Sequence, residues 1–254
     1  MPLLEITELS HRFGGLQAVA DFSLYLENGG LMGLIGPNGA GKTTIFNLIT
    51  GVYPPTTGRI CFAGREITGW PGYRIMAAGM GRTFQNIRLF KDLSVLDNVR
   101  LGASAQYPYS FLQTIGRTPA FNRQERQFIV QAMEMLERFG LARYAQTPAR
   151  QLPYGEQRRL EMARALISRP KLLLLDEPAA GMNQAETVAL IELLRKLWRE
   201  FELTILLIEH HMGVVLNLCQ QVLVLDFGDT IFVGPPQEAQ THPKVLEAYL
   251  GKEK

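Results

Sequence analysis

The sequence predicts an α/β fold with a mostly parallel core sheet, a small antiparallel β layer and a helical subdomain. Continuous apolar runs of strand length at 172–175, 204–208 and 222–225 are typical of strands buried on both faces of a parallel sheet. The helical spacing of 186–200 lies between the first two runs, which gives the strand, helix, strand order of a parallel crossover. A Gly-rich turn at 36–44 joins a further apolar run to a helical segment.

That turn contains a phosphate-binding pattern of Gly, four residues and Gly-Lys-Thr. Small residues let successive backbone N–H groups turn inward around phosphate oxygens, and the positive end of the following helix favours negative charge. We expect Lys42 to reach the β- and γ-phosphates and the Thr43 hydroxyl to ligate Mg²⁺. The predicted phosphate-binding residues are Gly36, Pro37, Asn38, Gly39, Ala40, Gly41, Lys42, Thr43 and Thr44.

Two other kinds of segment surround this core. Alternating or clustered apolar residues between turn signals predict antiparallel strands at 3–8, 18–26 and 59–62. Later, apolar residues three and four apart predict helices at 97–101 and 125–136. The aromatic, Gly- and Pro-containing stretch between those helices predicts a loop. The predicted boundaries are 1–87 and 166–254 for the nucleotide-binding core with its β layer, 88–165 for the helical subdomain, and 104–122 for the loop.

Composition argues against several classes of function. A net charge of +2, without a run of Lys or Arg, gives no argument for binding nucleic acid or an anionic membrane surface. Cys61 and Cys219 lie far apart with no Cys or His at metal-ligand spacing, so we expect both to be reduced. No apolar run approaches membrane-spanning length, and the N-terminal segment lacks the regions of a signal peptide. We therefore expect a soluble chain that reaches a membrane only through a partner.

Asp176 and Glu177 directly follow the apolar run 172–175. Open α/β sheets bind ligands at the carboxyl ends of their parallel strands. In that place Asp176 can hold Mg²⁺ through its water shell, while Glu177 polarises an attacking water. A solvated strand end or a helix-capping acid is the alternative for either residue alone.

The segment 152–160, Leu-Pro-Tyr-Gly-Glu-Gln-Arg-Arg-Leu, comes just before a predicted helix. Here the chain resembles the ATP-binding-cassette (ABC) ATPases, in which a Leu-Ser-Gly-Gly-Gln signature caps the γ-phosphate bound by the other subunit of a dimer. The resemblance covers essentially the whole chain, with the motifs in the family's order. It implies an ABC-type P-loop ATPase that pairs head to tail around two Mg·ATP, with closure of the pair doing mechanical work.

The resemblance also gives roles to residues that are ambiguous alone. Phe13 resembles the aromatic that stacks on adenine, Gln85 the glutamine that links the γ-phosphate and Mg²⁺ to the helical subdomain, and His210 the switch histidine. Taken singly, Phe13 is also open to plain packing in the β layer. Gln85 alone would most often be a solvated polar residue, and His210 alone a capping or core histidine. The implied catalytic residues are Glu177, His210 and Gln85; the implied nucleotide-binding residues are Phe13, 36–44 and Asp176; the implied metal ligands are Thr43, Gln85 and Asp176; the signature residues are Pro153, Tyr154, Gly155 and Glu156; and the loop between subunits is 180–183.

Within the family, the chain is most similar to the larger ATPase of the branched-chain amino acid (Liv-type) importers. This closer likeness is carried by residues 12–16, 82–90, 154, 176–181 and 248–251. It implies uptake of branched-chain, hydrophobic amino acids and a peripheral place on the cytoplasmic face of the inner membrane. Membrane permease subunits would dock on Gln85 and the residues up to Leu93, although Leu89 and Phe90 are equally open to a core role.

One departure from the family pattern has a chemical consequence. Pro153 replaces the signature serine and removes both a hydroxyl and a backbone N–H. Because the signature serves the opposite site, we expect an asymmetric pair of sites, the weaker of which this chain completes. His211 in place of the usual Asp, and Gln184 in place of a Pro, are smaller departures.

Other functions stay open at this point. A related transport ATPase serving urea, short amides or lipopolysaccharide export is the first alternative. A soluble ABC protein of translation or DNA repair is less favoured, because those usually carry two cassettes or a long coiled-coil insertion. A GTPase would need an Asn-Lys-x-Asp segment, which the sequence lacks, and a phosphate-loop kinase does not explain the full motif set. The second ATPase subunit is either another copy of this chain or a sister chain.

Overall fold

The computed structural model describes residues 2–103 and 119–250. Its contacts divide the chain into two compact units, Met1–Met80 with Lys171–Lys254, and Gly81–Pro170. The sequence instead predicts the boundaries after 87 and after 165. The second unit begins earlier because backbone groups of 84–88 are hydrogen-bonded to side chains of the helix Tyr154–Leu166.

The strands form two sheets, one of four strands and one of six. In chain order the strands are β1 (Leu4–Phe13), β2 (Leu16–Leu26), β3 (Leu31–Ile35), β4 (Thr57–Phe62), β5 (Arg65–Glu66), β6 (Met80–Arg82), β7 (Leu172–Asp176), β8 (Thr204–Ile208), β9 (Gln221–Asp226) and β10 (Asp229–Gly234). The chain passes from the first unit to the second within β6.

The four-stranded sheet is the antiparallel layer, in the order β2-β1-β4-β5. Leu4 of β1 pairs with Leu26 on one side and Phe62 on the other, and all three side chains are buried. Apolar residues two apart thus cover one face, as strand periodicity requires. The predicted strands are confirmed, and β1 continues beyond the predicted end at 8 as far as Phe13.

The six-stranded sheet has the order β10-β9-β3-β8-β7-β6. β3 runs parallel to β8 and β9, and β7 runs parallel to β8, so the predicted parallel core is confirmed. All five residues of β3, β7 and β8 are buried, which explains their continuous apolar sequences. Ile208, the last residue of β8, lies opposite both Leu34 and Asp176. The loops that follow these three strands therefore emerge at the same edge.

The helices of the first unit are α1 (Lys42–Ile49), α2 (Gly72–Ala77), α6 (Gln184–Glu200), α7 (Met212–Leu218), α8 (Pro236–Ala239) and α9 (Pro243–Leu250), and those of the second are α3 (Val95–Ala103), α4 (Pro119–Arg138) and α5 (Tyr154–Leu166). α6 begins with a reciprocal cap, in which the Asn183 side chain accepts from Glu186 N and the Glu186 side chain accepts from Asn183 N. Among the residues described, every helix is too short or too polar to cross a membrane.

Two helix predictions need correction. α5 begins at Tyr154, so Tyr154, Gly155 and Glu156 form its first turn rather than a loop before it. Pro153 is the N-cap, with extended backbone angles of φ −55° and ψ 154°, because a proline cannot donate the backbone N–H that a longer helix would need. α4 begins at Pro119, so 119–122 is helical instead of part of the predicted loop. Positions 104–118 of that loop lie outside the described residues.

Both cysteines are free thiols, in agreement with the sequence prediction. Cys219 is buried, and burial raises the pKa of its thiol to about 12. Its sulfur lies against β3, where a Cβ at Gly33 would come 3.0 Å from it. Cys219 is therefore a packing residue of the core sheet.

Candidate active site

The phosphate-loop pattern lies between β3 and α1, and two of its glycines cannot be replaced without strain. Gly36 has φ +148° and Gly41 has φ +101°, in the region that only glycine adopts readily. A Cβ on Gly36 would overlap the carbonyl oxygen of Leu225, and one on Gly41 would lie 2.6 Å from that of Ala18. The loop backbone thus packs directly against neighbouring backbone at both positions.

Lys42 is buried and its ammonium turns back over the loop. Nζ donates to the carbonyl oxygens of Gly36 at 2.7 Å and Pro37 at 2.8 Å. Burial lowers the pKa of Lys42, and the carboxylates of Glu177 and Asp176 oppose this shift. A buried cation held by two carbonyls fits an anionic ligand, because phosphate oxygens can supply the countercharge that carbonyls supply only in part.

The oxygen groups predicted to hold a metal also fit that role chemically. Thr43 is exposed in the first turn of α1, and Asp176 is the buried last residue of β7. A hydroxyl and a carboxylate are hard oxygen donors of the kind that Mg²⁺ prefers. Of the remaining loop residues, Asn38 and Gly39 are exposed, Thr44 is half-buried and Ala40 is buried.

Glu177 and His210 lie together where β7 and β8 end. Glu177 Oε1 is 3.4 Å from His210 Nδ1, and the Glu177 side chain is largely buried while that of His210 is half exposed. Glu177 has φ +49°, a conformation that costs a non-glycine residue free energy unless its surroundings hold it. Its N–H donates to Ile208 O at 2.9 Å, which fixes it to the neighbouring strand. A carboxylate held beside an imidazole can orient a water and accept its proton.

Glu209 is a site residue for which sequence reasoning predicted no role. Only 1% of it is exposed, and its carboxylate accepts three backbone hydrogen bonds, from Ala179 N at 3.0 Å and from His210 N and His211 N at 3.2 Å each. Burial raises its pKa, and these hydrogen bonds oppose the rise. Glu209 therefore ties the loop after β7 to the loop after β8. Its signal in the sequence is a carboxylate directly after the apolar run 204–208.

Phe13 presents an aromatic face supported by two other rings. It is 43% exposed, and it meets His11 edge to face at 4.5 Å and Tyr53 edge to face at 5.3 Å between ring centroids. Such packing fixes the plane of the Phe13 ring, as a stacking platform for a base requires. Sequence reasoning identified neither ring: Tyr53 belongs to a separate segment, and the position of His11 two residues before Phe13 in β1 carries no signal by itself.

Tyr249 of α9 also reaches the phosphate loop. Burial raises the pKa of its phenol, and a hydrogen bond from the backbone of Gly36 opposes the rise. The sequence prediction used the segment 248–251 only as a family likeness. α9 therefore lies near the loop.

The remaining predicted residues belong to the second unit. Gln85 is exposed, and its backbone carbonyl accepts a hydrogen bond from Arg158. The same guanidinium donates to the Tyr154 hydroxyl at 3.1 Å. Pro153 is exposed, and Gly155 and Glu156 are half-buried. The structure therefore assembles Lys42, Asp176, Glu177 and His210 within the first unit, and Gln85 with the signature turn within the second.

Comparison with known proteins agrees with this geometry. Residues 19–180 match the family model described as ABC transporter. The chain belongs to the ABC transporter family. It is an ABC ATPase, as the order of its motifs predicts. A second model, described as branched-chain amino acid ATP-binding cassette transporter, matches residues 230–254 of this ABC ATPase.

Its relatives are similar over nearly their whole length. The high-affinity branched-chain amino acid transport ATP-binding protein BraF of Pseudomonas aeruginosa is 44% identical over 99% of this chain and 98% of its own. The protein of the same description named LivG in Escherichia coli is 42% identical over the same shares. Among solved structures, the ADP conformation of MJ1267, an ATP-binding cassette of an ABC transporter, superposes with a TM-score of 0.85 at 29% identity, covering 99% of this chain and 100% of that one.

We predict that Glu209→Gln lowers the turnover number for ATP about tenfold while ATP affinity stays within about twofold. The amide NH₂ cannot accept a hydrogen bond, so either Ala179 N or the pair His210 N and His211 N loses its acceptor, and the two loops are no longer tied together. Steady-state hydrolysis and equilibrium ATP binding measure the two quantities.

The matched control is Glu202→Gln, an exposed glutamate in the turn before β8, which should behave as the unmodified chain. An unchanged turnover number in Glu209→Gln would contradict the anchoring role.

Proposed function

We propose that this ABC ATPase powers the uptake of branched-chain, hydrophobic amino acids through membrane permease subunits. It would pair with a second ABC ATPase subunit, either another copy or a sister chain, at the cytoplasmic face of the inner membrane. The observation that carries the ATPase mechanism is the Glu177–His210 contact of 3.4 Å at the sheet edge that also carries the phosphate loop. The assignment of the solute rests on the relatives, whose names specify branched-chain amino acid transport.

In this proposal each part of the nucleotide meets a separate group. Adenine stacks on Phe13, and the phosphates lie over residues 36–44 with Lys42 on the β- and γ-phosphates. Thr43, Asp176 and Gln85 would hold Mg²⁺, which when bound neutralises charge on the phosphate oxygens. The exposed ring of Phe13 and the buried ammonium of Lys42 support these assignments.

Hydrolysis in this proposal depends on Glu177. Its carboxylate orients a water and accepts its proton as the water oxygen bonds to the γ-phosphorus and the bond to the β-phosphate oxygen breaks, releasing ADP and phosphate. His210 assists at the γ-phosphate, and Gln85 helps to place the water. The partial burial of Glu177 and its backbone bond to Ile208 support this role, because a general base must be held in a fixed position.

The first turn of α5 would serve the nucleotide of the partner subunit. Helix N-termini present backbone N–H groups to anions. Pro153 at the N-cap lacks one such donor and the hydroxyl of a serine. With a sister chain as the partner, the site that this chain completes is therefore the weaker of the two.

We place the docking site for the permease on the segment from Gln85 to Leu93, which belongs to the second unit. Phe90 is 54% exposed. A cavity of about 310 Å³ lies next to Leu93, and its lining combines apolar side chains with three charged ones: Leu101, Ala103 and Phe128, and Asp97, Arg100 and Glu125. Phe90 N–H donates to Asn98 Oδ1 at 2.9 Å and Phe90 O accepts from Asn98 Nδ2 at 3.0 Å, so the loop that carries Phe90 is anchored to α3. An anchored, exposed aromatic near a cavity with apolar and charged walls fits a short amphipathic permease helix.

We predict that Glu177→Gln binds ATP as tightly as the unmodified chain but hydrolyses it about 10²- to 10⁴-fold more slowly. The amide keeps the size of the side chain but cannot accept the proton of the attacking water. Equilibrium ATP binding and steady-state phosphate release measure the two effects. Retention of most of the activity would exclude Glu177 as the base.

We predict that Pro153→Ser raises ATP turnover in the purified assembly, because it restores a hydroxyl and a backbone N–H at the γ-phosphate of the partner subunit. Pro235 provides a matched control, since it is also a proline N-cap, with φ −59° and ψ 141° at the start of α8. Pro235→Ser should leave the rate unchanged. Equal rates for Pro153→Ser and the unmodified assembly would show that the proline does not weaken that site.

A further inference from the structure

Arg158 and Glu161 form a buried ion pair on α5. Their side chains are 3% and 1% exposed, and Arg158 Nη1 lies 3.3 Å from Glu161 Oε2. The two residues are three apart, so they share one face of the helix. The next arginine, Arg159, lies 3.7 Å from Glu156, and these two side chains are 29% and 19% exposed. The Arg158–Glu161 pair is therefore the more deeply buried of the two.

The buried pair holds the backbone of the segment that contains Gln85. Arg158 Nη1 donates to Phe84 O at 2.6 Å, and Arg158 Nη2 donates to Gln85 O. Glu161 Oε1 accepts from Arg88 N at 3.1 Å. Between Phe84 and Arg88, three backbone groups thus have their partners on a single turn of α5.

The same guanidinium also contacts the signature turn. Arg158 Nη2 donates to the Tyr154 hydroxyl at 3.1 Å, and the guanidinium carbon is 5.6 Å from the centroid of the Tyr154 ring. Tyr154 is the first residue of α5 and follows Pro153 directly. One side chain is therefore bonded both to the Gln85 segment and to the start of the signature helix.

Packing alone does not account for this arrangement. A buried ion pair is costly to desolvate, and apolar residues of similar volume often stabilise a core as well or better. Burial raises the pKa of Glu161, and hydrogen bonds from the backbone of Arg88 and Phe84, with the charge of Arg158, oppose the rise. The planar guanidinium fork meets two successive carbonyls at once, which a lysine cannot do. The geometry favours precise positioning over stability.

We propose that Arg158 and Glu161 are positioning residues that make the Gln85 segment and the signature turn move as one body. The inference rests on the function proposed above, in which Gln85 responds to the ATP of this chain and the signature turn contacts the ATP of the partner. The movement caused by ATP binding at one site is then transmitted to the other site through the Arg158 guanidinium. The two sites therefore bind ATP cooperatively.

The test uses the assembly purified through a tag on this chain. Two variants remove the connection in different ways. Arg158→Lys keeps the charge but loses the fork, and the double variant Arg158→Met with Glu161→Met replaces the buried pair by apolar side chains that can fill the same space. Arg159→Lys, in the less deeply buried pair of Arg159 with Glu156, is the matched control. The readouts are the Hill coefficient for ATP hydrolysis and hydrogen exchange at residues 84–88.

For the unmodified assembly and Arg159→Lys, we expect a Hill coefficient of about 2, the limit for two coupled sites. For Arg158→Lys and the double variant, we expect a value of about 1, with exchange at 84–88 about tenfold faster and exchange in α3 and α4 unchanged. A purely structural role would instead accelerate exchange throughout the second unit and leave the Hill coefficient of the folded molecules unchanged.

Two results would overturn the inference. One is a double variant that keeps the cooperativity of the unmodified assembly. The other is an unmodified assembly that hydrolyses ATP with a Hill coefficient of about 1. Both leave the proposed function intact, since ATP is hydrolysed. The proposed function fails separately, if the unmodified assembly binds ATP without hydrolysing it.

Discussion

The site depends first on the parallel register of β3, β8 and β7. Ile208 lies opposite Leu34 on one side and Asp176 on the other, so all three strands end at the same level. Glu177 directly follows β7, and His210 is the second residue after β8, so the ends of the two strands set the distance between them. A shift in register of β7 against β8 would therefore move Glu177 away from His210. The backbone pairing of the three strands holds this register, and the hydrogen bond from Glu177 N to Ile208 O extends it beyond the end of β7.

Beyond the strand ends, buried charged side chains hold the loops by bonding backbone groups. Glu209 does so in the first unit, with three backbone N–H groups, and the Arg158–Glu161 pair does so in the second. Removing one member of a buried pair leaves an uncompensated charge, which costs roughly 3 to 5 kcal/mol. That is a large part of the 5 to 15 kcal/mol, in order of magnitude, that stabilises a domain. Loops held in this way keep a fixed geometry without belonging to the sheet.

The sequence predicted those features that local patterns determine. Continuous apolar runs predicted the buried strands, and the Gly-Lys-Thr pattern predicted the loop before α1. It misplaced the start of α5, because a proline N-cap has no side-chain signal. Glu209 and the contact between the rings of Phe13 and Tyr53 were missed because each joins segments distant in sequence.

The central claim, that this ABC ATPase powers branched-chain amino acid uptake, is tested most directly by solute uptake in cells. Cells in which only this chain is replaced by its Glu177→Gln variant would be supplied with labelled leucine, isoleucine or valine, and with a labelled charged amino acid as control. The account predicts loss of high-affinity uptake of the three branched-chain amino acids and unchanged uptake of the charged one. Unchanged leucine uptake, with loss of uptake of a different solute such as urea, would contradict it.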